Sequence, residues 1–258
     1  MSNYNLKEIA ENLIDTFLEA GKIAQDICIK GVEISIKADK SPVTNGDIAV
    51  DKILRSKIKA LPPNISIISE ETVDFKVKNK DKDFWLIDPI DGTRDYIKKK
   101  DEYTLNAALI INFEPKIGII YAPAKKWFFF SYGSKQAFEI NDGKKINLNC
   151  KKKNFNEIIG LENSGFTPEE IVEIYKKNNV SKFVKMSSSL KFCILAAGEA
   201  DIYAAKARAY EWDIAAGHAI LEHAGGIITT LEQKKFIYGK KNYKNLPILA
   251  KRSQNLLK

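Results

Sequence analysis

Phe84-Trp85-Leu86-Ile87-Asp88-Pro89-Ile90-Asp91-Gly92-Thr93 joins an apolar strand to two carboxylates aimed at one point. Phe84 to Ile87 read as a buried β-strand. Pro89 can neither donate a backbone hydrogen bond nor continue a ladder, so a turn is expected at Asp88. Asp88 and Asp91 can then share a hard divalent cation, which takes oxygen ligands, typically one or two carboxylates together with substrate phosphate. Gly92 and Thr93 add an open backbone and a hydroxyl where a phosphate can dock. Asp and Gly are also ordinary turn residues, and a capped turn is the alternative reading of this stretch taken alone.

Around that stretch lies a chain of 258 residues, 45% hydrophobic, enough for a substantial core arranged as one large domain or two closely packed subdomains. It has no run of eighteen apolar residues, and Met1 to Lys7 lacks the charged-then-apolar layout of a signal peptide. A cytoplasmic protein without an integral membrane segment is expected, with peripheral membrane association left open. Cys28, Cys150 and Cys193 are odd in number, widely spaced and without a C-x-x-C pair, so they read as buried thiols rather than a disulfide framework or a zinc knuckle. The net charge of +8 sits largely in short runs, Lys98 to Lys100, Lys151 to Lys153, Lys234-Lys235 and Lys240-Lys241, which read as solvated faces. No nucleic-acid-binding motif accompanies them, so no specific nucleic acid is expected. A basic envelope around an acidic site would instead draw in a polyanionic small molecule.

Helices and strands alternate, giving an α/β or α+β chain. Apolar spacing predicts a helix over Leu6 to Ile29 and another over Ile48 to Ile58, ended by Leu61-Pro62-Pro63. Val32-Ile34-Ile36 alternates as a strand, and Ile65 to Ile68 is a short strand delivering Ser69-Glu70-Glu71. Leu105 to Ile111, Lys116 to Tyr121, Trp127 to Phe130 and Gln136 to Ile140 read as antiparallel strands. Helices are expected at Thr167 to Lys177, Ser188 to Ala197 and Asp213 to Ala224. A shift in composition at Lys151 to Asn156 divides the chain into an N-terminal subdomain, residues 1–150, and a C-terminal one, residues 151–258.

Three more acids belong to the constellation. Glu70 ends a strand, where it is either a solvated terminus or, if the strands are neighbours, a partner of Asp88 and Asp91. Asp213, in Glu211-Trp212-Asp213-Ile214-Ala215-Ala216-Gly217-His218, stands where a helix N-cap belongs. The small residues Ala215, Ala216, Gly217 and Ala219 let that helix lie close to another backbone or to a ligand. Asp47, in Ser41-Pro42-Val43-Thr44-Asn45-Gly46-Asp47, caps a helix, adds a carboxylate to the cluster, or aligns the Thr93 hydroxyl.

Taken together, S-P-V-T-x-x-D, S-E-E, W-x-x-D-P-x-D-G-T and W-D-x-A-A-G, in this order from about Lys37 to Gly226, resemble the motifs of the inositol monophosphatase superfamily. The resemblance implies a layered αβαβα fold with the active site between two subdomains, and a Mg²⁺-dependent, lithium-sensitive phosphatase. Within the superfamily, Arg94-Asp95-Tyr96-Ile97-Lys98, Asp101-Glu102-Tyr103-Thr104, Tyr121-Ala122-Pro123-Ala124 and Ser188-Ser189-Leu190-Lys191-Phe192-Cys193 look most like the 3′(2′),5′-bisphosphate nucleotidases of the CysQ type. That branch implies hydrolysis of adenosine 3′,5′-bisphosphate to AMP and phosphate in clearing by-products of sulfate assimilation. Inositol or sugar phosphatase activity is the runner-up, and a polyanion- or RNA-binding protein on the same scaffold is the non-enzyme alternative.

By the same resemblance, Glu70, Asp88, Asp91, Asp213 and the carbonyl of Ile90 hold two or three Mg²⁺ ions, and Glu70, Asp47 and Thr93 orient and deprotonate the attacking water. Gly92, Thr93, Lys191, Arg208 and Asp213 are the substrate contacts, Lys191 having a surface lysine as its plain alternative. A homodimer is the family's assembly. The chain departs from the branch at Tyr203-Ala204-Ala205, where Y-P-R is usual, leaving Lys206 and Arg208 as the nearby cations, and at Leu161 to Gly165, where an S-R-S-H-like segment is missing. His218 and His223, five apart on a helix, read as packing or surface residues, and Trp127 to Phe130 as strand core or subunit interface.

Overall fold

The computed structural model describes residues 4–77, 81–151 and 156–256. Met1 to Asn3 of the N-terminal stretch, and residues 152–155, which take in part of the Lys151 to Lys153 run and of the segment of shifted composition, lie outside the described residues. The first half of the chain runs through α1 (Leu6–Glu11), α2 (Ile14–Lys30), β1 (Ile34–Ile36), β2 (Pro42–Thr44), α3 (Asn45–Ala60), β3 (Ser66–Ser69), β4 (Phe84–Asp91), α4 (Thr93–Ile97) and β5 (Thr104–Ile111). Then come β6 (Glu114–Ala122), β7 (Trp127–Ser131), β8 (Ala137–Asn141) and β9 (Lys144–Asn147). The remainder is β10 (Ile159–Glu162), α5 (Glu169–Lys177), β11 (Lys182–Lys185), α6 (Leu190–Ala196), β12 (Ile202–Ala205), α7 (Glu211–His223), β13 (Ile227–Thr230) and β14 (Ile248–Lys251).

Strands β3 to β9 form one seven-stranded sheet in sequence order, antiparallel except for the parallel pair β3–β4. Both faces are covered, so its central strands are apolar at nearly every position instead of alternating with polar residues. Trp85, Ile87, Leu105, Ala107, Leu109, Ile117 and Ile119 pack against Phe17, Ala20, Val50 and Leu54 of α2 and α3. Their neighbours Leu86, Ala108, Ile110 and Ile120 point the opposite way, onto Phe192, Ala215, Ala216 and Ile220 of α6 and α7. Each large aliphatic or aromatic side chain buried here contributes about 1.5–3 kcal/mol. The five-stranded sheet, ordered β11-β10-β12-β14-β13, covers the far side of α6 and α7. Its outer face is closed by Ile171 and Tyr175 of α5. The layers are therefore α2/α3, seven-stranded sheet, α6/α7, five-stranded sheet, α5, which is the αβαβα order expected.

The small residues of α7 serve close packing against backbone. A side chain at Gly118 of β6 would collide with the carbonyl of Ala216, its Cβ only 2.3 Å away, so the helix lies nearly in contact with the sheet. Several boundaries differ from expectation. The first helix is broken at Asn12-Leu13, where Leu13 N–H bonds the carbonyl of Ala10, three residues back, and tightens the turn. The Val32 to Ile36 strand shrinks to β1, which among the described residues pairs only with β2, as a separate hairpin with Ile34 and Ile36 exposed. β4 does not turn at Asp88. It continues to Asp91 through a shift in register, and the bulge absorbs the hydrogen bond that Pro89 cannot make. Helix α7 begins at Glu211, with Tyr210 as N-cap.

Candidate active site

Strand β3 runs parallel to β4, so both chains leave the sheet at the same edge and deliver Glu70 beside Asp88. Between Asp88, opposite Asn106, and Asp91, opposite Thr104, the bulge of β4 lifts Pro89 and Ile90 out of register. Gly92 follows with φ 89°, a left-handed conformation that glycine adopts without strain, and starts α4 at Thr93. From the other side comes α7. Asp213 is its third residue rather than its cap, and its Oδ2 accepts the Tyr210 N–H at 2.9 Å.

Ligand oxygens of Glu70, Asp88 and Asp213 all lie within 4.8 Å of one another. Asp88 is 2% exposed and its Oδ1 is buried with no hydrogen-bond partner. Burial raises the Asp88 carboxyl well above the ordinary carboxylate range, and Glu70, Asp91 and Asp213 raise it further. Asp213 is raised well above that range by burial, then by Asp91 and Glu70. An acceptor-only oxygen left unpartnered among like charges is costly unless a cation completes it. The donor set, all hard oxygen, fits a divalent cation such as Mg²⁺.

Asp91 stands beside this triad without belonging to it. Its carboxyl is raised to about 6 by burial, against the Lys191 ammonium and the Ser189 backbone N–H that favour its charged form. Asn106 faces it from β5, its Nδ2 buried and without a partner meeting hydrogen-bond geometry, while its Oδ1 accepts the Ser189 hydroxyl at 2.8 Å. Glu70 is paired with Lys37 of the β1–β2 hairpin at 2.9 Å, and the same ammonium reaches Glu71 at 2.7 Å.

Asp47 is a capping residue as well as a candidate site residue. It is 2% exposed; its Oδ2 accepts the Thr44 hydroxyl at 2.5 Å and the Thr44 N–H at 2.8 Å, while Oδ1 lies 3.3 Å from the Thr93 hydroxyl. Burial raises its carboxyl above the ordinary range. Thr93 Oγ1 also lies 3.0 Å from the Ile90 carbonyl, and its single proton can serve only one of these acceptors at a time.

The cleft has a volume of about 750 Å³, the size of a small-molecule site. Lys191 is not a surface lysine. It is 4% exposed, donates to the carbonyls of Ser188 (2.7 Å) and Met186 (3.1 Å), and lies over the Tyr203 ring. Burial, opposed by Asp91 and Glu102, brings its ammonium down to about 8. Arg94, Lys98, Lys206 and Arg208 form a basic rim. Lys206 is drawn to Glu170 at 3.2 Å, whereas the charge of exposed Arg208 acts on Asp213, Tyr203 and Lys191.

Away from the cleft, Lys240 is not simply solvated, because it pairs with the fully buried Glu211 at 2.9 Å. Both histidines pack internally: His218 Nδ1 is 2.9 Å from the Tyr238 hydroxyl and His223 Nδ1 2.9 Å from that of Ser131. Sequence reading gave no individual role to Lys37, Asn106 or Ser189, the last of which it quoted only within the Ser188 to Cys193 segment. Thr104 and Asn106 did carry a signal, as two polar side chains on one face of an otherwise apolar strand.

The inositol monophosphatase family model matches residues 5–256. The chain is similar to a protein named 3′(2′),5′-bisphosphate nucleotidase CysQ from Buchnera aphidicola subsp. Acyrthosiphon pisum, 36% identical over 203 residues, 78% of this chain and 76% of the relative. A protein of the same name from Salmonella typhimurium is 32% identical over 210 residues, 81% and 84% of the two chains. Among solved structures, CysQ from Bacteroides thetaiotaomicron superposes with a TM-score of 0.81 at 28% identity, covering 96% of this chain and 98% of that one.

Proposed function

The chain belongs to the inositol monophosphatase family, and on that premise we propose that it is a Mg²⁺-dependent 3′(2′),5′-bisphosphate nucleotidase that converts adenosine 3′,5′-bisphosphate to AMP and phosphate. The observation that carries the metal chemistry is the buried, unpartnered Oδ1 of Asp88 between Glu70 and Asp213. The nucleotide is supported by the relatives, two of them at 36% and 32% identity, that bear the CysQ name.

Glu70, Asp88 and Asp213 would hold a divalent cation, and Asp91 and the Ile90 carbonyl would be the further ligands for a second one. The chemistry such an ion would supply is a lowered pKa for the attacking water and neutralisation of phosphoryl charge. The chain's own residues then set the geometry. Asp47, locked by Thr44, would accept a hydrogen bond from the Thr93 hydroxyl, leaving the Thr93 oxygen free to accept a hydrogen bond from the attacking water and orient it. Glu70 would be the base that takes the water's proton. Gly92 and Thr93 hold the scissile phosphate, and Lys191, fixed by two carbonyls, turns its charge toward Asp91 and the substrate. Arg208 is the rim cation we assign to the second phosphate, since Lys206 is occupied by Glu170.

A polyanion-binding role leaves so many crowded carboxylates without a purpose. We place the protein in the cytoplasm, in sulfur metabolism, as a lithium-sensitive homodimer by analogy with the family. Phosphate release from adenosine 3′,5′-bisphosphate, inositol 1-phosphate and fructose 1,6-bisphosphate, with Mg²⁺, with added lithium and with EDTA, tests the reading. Preferential, EDTA-sensitive release from the nucleotide is expected. Preference for inositol or sugar phosphate would overturn the substrate and keep the metal site.

A further inference from the structure

Helix α3 turns two carboxylates inward one helical turn apart, Asp47 and Asp51, 2% and 3% exposed. Residues four apart share one face of a helix. Asp47 reaches Thr93, as described. Asp51 reaches Ser69, the fully buried last residue of β3, whose hydroxyl donates to Asp51 Oδ1 at 2.5 Å. The other oxygen of Asp51 accepts from Arg55 Nε at 2.7 Å, so the carboxylate is held from both sides.

Ser69 is the hub of the turn that carries Glu70. Its carbonyl accepts the N–H groups of Thr72 at 3.1 Å and Val73 at 2.9 Å, and its hydroxyl oxygen receives the Glu71 N–H at 3.4 Å. Glu70 itself is tied through its N–H to the Ile87 carbonyl and through its carboxylate to Lys37. A glutamate at a strand end has three rotatable side-chain bonds and needs a rigid backbone if its oxygen is to stay in a ligand cluster.

We propose that Asp51 is a positioning residue for the cation site: through Ser69 it locks the turn that presents Glu70. One face of α3 then sets both arms of the site, Asp47 acting on Thr93 and Asp51 acting on Glu70. This inference rests on reading Glu70, Asp88 and Asp213 as the cation site. Partners that orient metal ligands typically change metal affinity or activity by about 10–100-fold when removed.

The test is Mg²⁺ binding to the full-length protein by titration calorimetry, alongside kcat, KM and thermal melting, for Asp51→Ala, Asp51→Asn, Ser69→Ala, Asp51→Ala/Ser69→Ala and Arg55→Ala. Asp51→Ala and Ser69→Ala should each weaken Mg²⁺ by about tenfold and lower kcat while KM changes little. The double variant should be no worse than either single one, because both break the same bond. Asp51→Asn keeps an oxygen to accept the Ser69 hydroxyl and should recover most of the affinity, and Arg55→Ala, which removes one of the two holds on Asp51 but leaves its bond to Ser69, should weaken Mg²⁺ less than Asp51→Ala does. Alanine variants that melt lower yet bind Mg²⁺ normally would overturn the proposal, as would Asp51→Asn falling as far as Asp51→Ala. A parent protein that binds no Mg²⁺ would overturn the cation reading itself, a result distinct from normal binding by parent and variants alike.

Discussion

Asp88 and Asp213 meet from adjacent layers of the molecule: Asp88 lies on β4 of the seven-stranded sheet, Asp213 in the first turn of α7, and their carboxylate oxygens, with one of Glu70, fall within 4.8 Å of one another. Among the described residues, the Asp88 Oδ1 is buried with no hydrogen-bond partner. The molecule holds two like charges together in its interior, an arrangement that costs stability until a cation binds.

Removing one of these charges should therefore stabilise the metal-free fold while destroying the site. Asp88→Asn and Asp213→Asn are each expected to raise the unfolding free energy without metal by about 0.5–2 kcal/mol. Both should lose measurable hydrolysis and the stabilisation that Mg²⁺ gives the parent. Urea unfolding with and without Mg²⁺ measures this, and variants less stable than the metal-free parent would contradict it.

The same cluster sets a pH dependence. Asp91 is raised from its ordinary 3.8 to about 6, and Asp88 and Asp213 move in the same direction. For an acid whose folded value exceeds its unfolded one, the associated stability is complete below the unfolded value and is lost as pH rises through the folded one. Without metal, these groups should thus contribute a falling melting temperature as pH climbs from about 4 past about 6. Mg²⁺ needs the ionised ligands, so its thermal shift should be larger at pH 8 than at pH 5. Equal shifts at the two pH values would argue against carboxylate ligation.

Thr93→Val removes the hydroxyl that lies 3.3 Å from Asp47 and keeps the volume. It is expected to lower kcat by about 100-fold or more, the range for lost proton-transfer catalysis, with Mg²⁺ affinity nearly unchanged. Asp47→Asn should weaken hydrolysis through the same hydroxyl and also loosen the start of α3, since Asp47 completes the capping box with Thr44. Steady-state kinetics alongside a melting curve separates the two effects.

Arg208→Ala should raise KM for adenosine 3′,5′-bisphosphate by about tenfold, which corresponds to about 1.4 kcal/mol, and leave a monophosphate substrate little changed. Lys206→Ala, which removes a lysine already engaged by Glu170, should do much less. A lysine at position 208 should restore only part of the loss, because it lacks the guanidinium fork. Equal effects on both substrates would remove Arg208 from second-phosphate recognition.

Much of this site is legible in the order of the residues. The run from Phe84 to Thr93 reads alone as either a capped turn or a pair of metal ligands, and it is the company of Glu70, Asp213 and Asp47 in matching motifs that tips it toward a metal site. The antiparallel strands of the middle are readable from their apolar runs and turns, and β5 lies at Thr104–Ile111 against an expected start at Leu105. Less is legible where neighbours decide. The strand expected over Val32 to Ile36 is an exposed two-stranded hairpin, since alternation records a half-buried surface without saying what covers it. Spacing leaves Lys191 open between surface and site, and only its burial against Ser188, Met186 and Tyr203 settles where it lies.

Sequence alone determined the residue types and their order: hard oxygen donors after short strands, a small-residue helix behind Asp213, and a basic chain around them. Those properties depend on bonding and sterics over a few residues, which spacing records directly. Tertiary structure decided which carboxylates converge. The parallel pairing of β3 with β4 brings Glu70 to Asp88, and the close seat of α7 on Gly118 brings Asp213 across while Asp91 turns toward Lys191 and Ser189. Convergence of that kind depends on packing between segments more than a hundred residues apart, from Glu70 to Asp213, and local spacing does not encode it.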